Sequence, residues 1–396
     1  MSEKNVGSST AGRILPSAAG VQNPPGKREQ RATRIVFFAA GFATAAWAAL
    51  VPFAKYNTGV SDGTLGLLLL CLGGGALVAM PLTGALTSRF GCRRVMLISV
   101  LLFSAILPVL SVTADPWLLA LALLLFGIGI GTTDCAMNVQ AIIVEKASPR
   151  PLMSGFHGFY SVGGIAGAGA MSAMMSLGVS ASTSSFIMSA VVIALLLGCL
   201  SGFLTYANPA EGPAFAVPHG IVLVLGGICF VVFLAEGAVL DWSAVYLTEY
   251  RGFSDAHGGL GFACFAATMT LGRLTGDRIV LRLGQQRVVL VGALLAASGM
   301  LVTVTGDNGP LALLGYALVG IGCANIVPVM FSAIGRQTTM PQVLAVPAVT
   351  TLGYMGVLAG PASIGGIAHH SSLTLAFIVV AALLVAVAVV SRIVKL

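Results

Sequence analysis

Twelve apolar runs, each about as long as a bilayer is thick, fill most of the 396-residue chain. A helix needs about 20 apolar residues to cross the hydrocarbon core, and only helices or closed barrels satisfy their backbone there. The alternating ten-residue segments of a barrel are absent, so the runs predict an all-α, polytopic membrane protein with twelve transmembrane helices. The predicted spans are 33–56, 64–88, 94–113, 117–146, 152–178, 183–206, 218–248, 256–282, 287–305, 310–335, 342–368 and 372–394.

Composition and motifs exclude several functional classes. Only 8% of the residues are charged, whereas soluble proteins carry about 25%. The net charge of +7 comes from basic residues in loops, so it does not indicate a nucleic-acid partner. The seven cysteines lie singly, and the sequence has no nucleophile motif, nucleotide loop or metal-ligand spacing. We expect a lipid-embedded protein that is not an enzyme, with no cofactor, no metal and no evident obligate protein partner.

The distribution of Lys and Arg predicts the orientation, because short cytoplasmic loops carry an excess of both. With both termini inside, the inner side collects eighteen of the twenty basic residues and the outer side keeps only Lys55 and Arg251. Residues 1–32 are too polar to bury and are predicted to be a disordered cytoplasmic tail. The short loops and the lack of a signal peptide favour a bacterial inner membrane.

The chain repeats itself at an offset of 193 residues. The loop between spans 2 and 3 reads GALTSRFGCRR (84–94), and the loop between spans 8 and 9 reads GDRIVLRLGQQR (276–287). The offset aligns the triplet RFG at 89–91 with RLG at 282–284, and transporters are often built from such repeats. The predicted organisation is two six-helix bundles and a cytoplasmic linker, at 33–206, 218–394 and 207–217.

The first of these loops resembles the signature of the major facilitator superfamily, a Gly, three residues, an Asp, a basic residue, any residue, Gly and two basic residues. Ser88 stands where that signature has Asp, and Leu281 replaces it in the second copy. The segments HGFYSVGG (157–164) and AEGAVLDW (235–242) are similar to the YbjJ branch of the superfamily and more distantly to fucose permease.

The resemblance implies that spans 1, 4, 7 and 10 line a central cavity and that the repeated loops take part in gating. The residues expected to gate are Gly84, Arg89, Gly91, Arg93, Arg94, Arg282 and Gly284.

Three ionisable residues within the spans are candidates for proton coupling, since such groups are costly in a membrane and functional by default. Asp134 lies in span 4, Glu236 near the middle of span 7 and His157 in the first turns of span 5. A carboxyl group or an imidazole in such a place can load and release a proton during a cycle. The alternatives are a structural Asp134, permanently paired with His157 or another polar group, and a His157 that only packs.

Five further residues are candidates for substrate binding: Trp47, Asn138, Asn325, Tyr354 and Asp241. Asn138 follows Asp134 by four residues and so shares its helix face, and an aromatic ring such as Trp47 suits stacking on a sugar. Each residue has packing as its alternative, and Asp241 has a place at the outer interface.

Arg273, about halfway along span 8, has two interpretations that stay open. It could bind an anionic substrate, or it could neutralise Asp277 on the same helix.

These observations predict a secondary active transporter that moves a small organic solute, sugar-like or otherwise polar, by alternating access with a proton as coupling ion. The first alternative is proton-driven efflux of drugs or toxic metabolites. The second is a membrane sensor that does not transport, although no loop is long enough to form a sensing domain.

Overall fold

The computed structural model describes residues 24–207, 217–254 and 257–394. Residues 1–23 and 208–216, which hold most of the predicted tail and linker, lie outside the described residues. Within the described residues the chain is helical throughout, without a strand. The all-α prediction is therefore confirmed.

Twelve membrane spans, α1 to α12, can be assigned to these helices. Segment Asp62–Val112 contains two of them, α2 before Gly91 and α3 after it, and α10 consists of two pieces. The bounds are α1 Lys27–Thr58, α2 and α3 within Asp62–Val112, α4 Pro116–Lys146, α5 Met153–Ser176, α6 Ala181–Cys199, α7 Gly220–Arg251, α8 Leu260–Leu283, α9 Gln285–Thr305, α10 Gly309–Cys323 with Ile326–Ile334, α11 Gln342–His370 and α12 Leu373–Ile393.

Nine helices among the described residues are long and apolar enough to cross a membrane by length and composition alone. That number counts the segment 62–112 once, and it omits α5 and α8. The sequence of α5 is rich in Gly and Ser, and α8 carries Arg273, Asp277 and further basic residues. The count is therefore three below twelve for two reasons: one segment contains two spans, and α5 and α8 are less apolar than the other helices.

Helix α1 begins earlier than the predicted span, at Lys27. The carboxylate of Glu29 accepts a hydrogen bond from the backbone N–H of Gly26 at 2.7 Å, which satisfies one of the free donors at the helix start. Residues 27–32 were predicted to belong to a disordered tail, but they form the first turns of α1. A local cap, which hydropathy does not detect, stabilises this helix start.

The repeat is visible in the backbone. Gly91 has φ 77° and ψ 159°, and Gly284, at the same position of the second copy, has φ 79° and ψ 157°. Only glycine adopts this conformation readily. The residues two positions later match as well, because Arg93 bonds Phe203 O at 3.0 Å at the end of the sixth span and Gln286 bonds Ser391 O at 3.2 Å at the end of the twelfth. Two six-helix repeats are confirmed.

We call the end of the bundle where α1 begins and α4 ends the termini face, and the end where α1 and α7 end the second face. The two halves, α1–α6 and α7–α12, meet mainly along α2 with α11 and along α5 with α8. A Cβ on Gly84 would overlap the carbonyl oxygen of Val343, and one on Gly158 would lie 3.2 Å from the backbone nitrogen of Leu274. Small residues four or more apart allow this close approach, as in other membrane helix pairs.

Candidate functional site

A buried ion pair lies at mid-depth between the two halves. Nη2 of Arg273 on α8 is 3.3 Å from Oε1 of Glu236 on α7, and both residues lie near the middle of their helices. Nη1 of Arg273 donates to Oγ of Ser161 at 3.0 Å, and Ser161 belongs to α5 of the other half. The guanidinium therefore connects both halves near the middle of the bundle.

The break in α10 supplies a third partner for this guanidinium. Proline has no N–H, so Pro328 cannot donate to the carbonyl of Ala324 in the preceding turn. Nε of Arg273 donates to that free carbonyl oxygen at 3.3 Å. Asn325 follows at the break, donates from Nδ2 to Gly272 O at 3.1 Å and lies against Gly276. A continuous helix was predicted here, and the interruption is what turns Asn325 toward α8.

Asp134 lies on α4 at a similar depth and is partly buried. Nδ2 of Asn138 is 2.9 Å from the backbone oxygen of Asp134 and 3.4 Å from its Oδ1, so the two residues share one face as expected. Within the described residues no Lys or Arg lies at ion-pair distance from this carboxylate. Asp134 is an acid surrounded by polar neighbours and apolar packing, without a cation beside it.

Two tyrosines connect Asp134 to the rest of the site. Tyr160 of α5 interacts electrostatically with Asp134, Glu236 and Arg273. Tyr354 of α11 interacts with Tyr160 and Asp134, and it packs against a buried cluster of Ala76 and Met80 of α2 and Cys135 of α4. The structure thus brings Asp134, Glu236 and Tyr354 into one polar region together with residues from both halves.

His157 occupies an aromatic environment. Its ring centroid lies 5.2 Å from that of Phe37 and 5.6 Å from that of Phe331, and Nε2 has no hydrogen-bond partner among the described residues. No hydrogen bond or ion pair in the described part of the chain joins it to Asp134. His157 is therefore placed at the junction of α1, α5 and α10 rather than beside the acid.

Trp47 and Asp241 lie apart from this polar region. Trp47 is 4% exposed and packs in the hydrophobic core of α1 and its neighbours. Asp241 is exposed, one and a half turns beyond Glu236 toward the second face, and the ring of Trp242 next to it lies 3.1 Å from a Cβ placed on Gly365. These positions match the alternatives of packing and an interface location.

The predicted gating residues fall into structural and exposed groups. Gly84 and Gly91 permit close backbone approach, to Val343 and to Thr205 respectively, and Gly284 has the same conformation as Gly91 in open space. Arg93 holds the segment after α6 through two backbone carbonyls. The three remaining arginines are exposed at the termini face, namely Arg89, Arg94 and Arg282.

Contacts between the halves at the termini face come from residues that the sequence did not single out. Glu145, at the end of α4, accepts from Oγ of Ser332 on α10 at 2.5 Å, and its other oxygen accepts from the N–H groups of Leu152 and Met153 at 2.7 Å each. One carboxylate therefore caps α5 in its own half and bonds α10 in the other.

Two more hydrogen bonds join the halves at the same face. Nζ of Lys146 donates to Oε1 of Gln342 at 3.2 Å, and the N–H of Gly155 donates to Oδ1 of Asp277 at 3.1 Å. Asp277 thus caps α5 from the second half instead of neutralising Arg273. These hydrogen bonds close the bundle at the termini face.

Sequence reasoning missed Ser161 and Tyr160, although one signal was present. Ser161 is the repeat position of Tyr354, at the same offset of 193 residues, and Met80 is the repeat position of Arg273. Ser161 bonds Arg273, and Tyr354 packs against the buried cluster that contains Met80, so the two pairs occupy corresponding places. Applying the repeat to Tyr354 would have identified Ser161.

Comparison with known proteins gives consistent matches over most of the chain. Residues 35–235 match the family model described as Major Facilitator Superfamily. An uncharacterised MFS-type transporter of Yersinia pestis is 51% identical over 369 residues, which cover 93% of this chain and 96% of that protein. The uncharacterised transporter y4wD of Sinorhizobium fredii is 34% identical and covers 91% of this chain and 96% of its own.

Solved structures show the same fold at low sequence identity. Two crystal structures of the Escherichia coli fucose:proton symporter FucP, one of them in the outward conformation, have a TM-score of 0.74 to this chain. They are 16% and 15% identical, and each comparison covers 92% of this chain and 98% of FucP.

Proposed function

Since the chain belongs to the major facilitator superfamily, we propose that it is a secondary active transporter that couples a proton to the movement of a small organic solute. The two halves would rock about the mid-depth site and expose it alternately to each side. A sugar-like or other small polar solute is proposed because the site holds hydroxyl and amide groups, and because FucP, which shares the fold, is a fucose:proton symporter.

The observation that carries the proposal is the presence of one acid in each half at mid-depth. Glu236 in the second half is paired with Arg273, whereas Asp134 in the first half has no cation at ion-pair distance among the described residues. Ionisable groups inside a membrane are costly, and taking a carboxyl group out of water favours its protonated form. An unpaired acid at mid-depth can therefore carry the coupling proton.

The contacts between the halves support one step of the cycle. They lie at the termini face and at mid-depth, so the site is shielded from that face. If both termini are cytoplasmic, as the distribution of basic residues predicts, the structure corresponds to an outward-facing state in a bacterial inner membrane. Breaking these contacts and closing the second face would produce the inward-facing state.

The test is transport by purified protein in liposomes, with an imposed pH gradient and radiolabelled L-fucose and D-gluconate as probes. Asp134→Asn is expected to abolish gradient-driven accumulation while counterflow exchange at equal pH continues, because exchange needs no net proton movement. Asp241→Asn serves as the matched control, since Asp241 lies outside the polar region. Accumulation by Asp134→Asn at the wild-type level would contradict the proposal.

A further inference from the structure

The guanidinium of Arg273 is only partly used by the protein. An arginine has five N–H donors. Its three hydrogen bonds, to Ala324 O, Ser161 Oγ and Glu236 Oε1, use one donor on each nitrogen. Each terminal nitrogen therefore keeps a second N–H for which the described residues supply no acceptor. This is a buried cation with donors left over at the centre of the bundle.

The pairing with Glu236 is also incomplete. Arginine and carboxylate often form two parallel hydrogen bonds, with N–O distances of about 2.7–2.9 Å. Here a single contact of 3.3 Å joins Nη2 to Oε1. The side chain of Glu236 is 19% exposed and that of Arg273 8%, so the carboxylate is the more accessible partner of the pair. Protonation of Glu236 therefore needs less opening of the bundle than solvation of the guanidinium does.

The groups around Glu236 leave Arg273 as its main electrostatic partner. The ionisable side chains that interact with Glu236 are Arg273 of α8, Cys323 of α10, Tyr160 of α5 and Cys229 of its own helix. His157 of α5 interacts electrostatically with Arg273, and Tyr160 interacts with both Asp134 and the pair. His369 and His370 of α11 and Arg392 of α12 lie in the last turns of their helices, away from the middle of the bundle. Arg273 is therefore the cation that compensates Glu236, and Glu236 is the anion that compensates Arg273.

We propose that Arg273 binds the carboxylate of a small polar acid, such as a sugar acid, and that a proton taken up by Glu236 frees Arg273 for this role. The proposal rests on the proposed transport function and specifies its substrate class. The bare pair is neutral, and protonated Glu236 with Arg273 and a monocarboxylate is neutral as well. One proton on Glu236 and one carboxylate therefore bind together, and the pair holds no uncompensated charge. Net transport still depends on Asp134, which must release its own proton before the transporter returns empty.

The neighbours of the guanidinium suit a hydroxylated acid. Ser161 and Tyr160 come from the first half and Asn325 from the break in α10, and Tyr354 of α11 interacts with Tyr160. Their hydroxyl and amide groups can bond the hydroxyls of a polyol chain while the carboxylate takes the place of the Glu236 oxygen. Because Ser161 and Arg273 belong to different halves, an acid held between them would contact both halves of the transporter.

The pH dependence follows from the exchange of one proton. Carboxylate binding to the wild type requires protonated Glu236, so the apparent Kd should rise about tenfold per pH unit once Glu236 is ionised. In Glu236→Gln the amide is neutral at every pH, and Arg273 is always free. Binding to that variant should be tight and independent of pH while the ligand stays ionised.

The test uses the purified full-length protein in nanodiscs and measures binding by calorimetry and by the shift in Tm. The probes are D-gluconate, D-galactonate and D-glucuronate, with D-glucose, D-galactose and chloride at equal ionic strength as references. Four proteins are compared: wild type, Glu236→Gln, the double variant Glu236→Gln/Arg273→Gln, and Arg278→Gln. Arg278 is an exposed arginine on the same helix and serves as the control. The double variant removes both charges and so keeps the site neutral for folding.

The proposal expects at least one acid to raise the Tm of Glu236→Gln and to bind it independently of pH. The double variant should lose this binding by at least 100-fold, and Arg278→Gln should behave as the wild type. No shift with any of the three acids in Glu236→Gln, or equal binding by the double variant, overturns the proposal.

The failure of the substrate class and the failure of the transport function have different signatures. Neutral sugars that bind and drive proton uptake, without any effect of the acids, would leave the transport function intact and overturn the role of Arg273. If the acids bind as expected but the protein accumulates nothing in liposomes, the role of Arg273 stands and the transport function is overturned.

Discussion

Removing the hydroxyl of Ser332 should shift the protein toward the state that is open at the termini face. Ser332 donates to the Glu145 carboxylate at 2.5 Å, and this hydrogen bond joins α10 to α4 across the two halves. A hydrogen bond to a charged group contributes about 1.5–3 kcal/mol. Since about 1.4 kcal/mol corresponds to a tenfold change in an equilibrium, Ser332→Ala should favour opening by roughly 10- to 150-fold.

The assay is a distance measurement by pulsed electron paramagnetic resonance. Nitroxides are placed at Arg150 and Thr338, which are exposed at the termini face in different halves, after the reactive native cysteines have been replaced. The population at long distance should increase in Ser332→Ala. The control is Ser298→Ala, because Ser298 is exposed on α9 and bonds only its own helix. An unchanged distance distribution in Ser332→Ala would refute the assignment of this contact to the closed state.

Two further predictions concern stability. Gly91→Ala should lower the Tm of the detergent-solubilised protein more than Gly284→Ala, since both replacements carry a backbone strain of about 1–3 kcal/mol but only Gly91 also lies against a backbone carbonyl; equal losses would contradict this. Partial burial raises the pKa of Glu29. The hydrogen bond from the Gly26 N–H and the charge of the Arg28 guanidinium together lower it by more, so the net pKa lies below the ordinary value. The stability that Glu29 contributes is therefore present at neutral pH and lost as pH falls through its folded pKa, so Glu29→Gln should lower the Tm at pH 7, and the difference from the wild type should shrink as the pH is lowered; a Tm difference that does not change with pH would argue against it.

The architecture was largely predictable because both signals that define it, the long apolar runs and the repeat at an offset of 193 residues, are visible in the sequence itself. The twelve spans follow from their length, and the glycines at 91 and 284 mark the same sharp turn in each half. The break in α10 was not predicted, because the apolar run continues on both sides of it and the acceptor that Pro328 leaves free on Ala324 finds its partner on α8.

The site was predictable only as a set of residues and not as a set of contacts. Spacing along one helix suggested Asp277 as a partner for Arg273, whereas packing pairs Arg273 with Glu236 and directs Asp277 to the start of α5. Asn138 is an exception, because its partner Asp134 lies one turn away on the same helix. Contacts between helices depend on their rotation and register, which one sequence does not specify.

The most direct test of the account is the movement of protons when a solute is added to protein in lightly buffered liposomes. The panel contains sugars, sugar acids and cationic drugs, and the wild type is compared with Asp134→Asn. The account predicts proton movement into the vesicles with one class of solute, abolished in Asp134→Asn although the variant still binds that solute. The same proton movement in the wild type and in Asp134→Asn would contradict it.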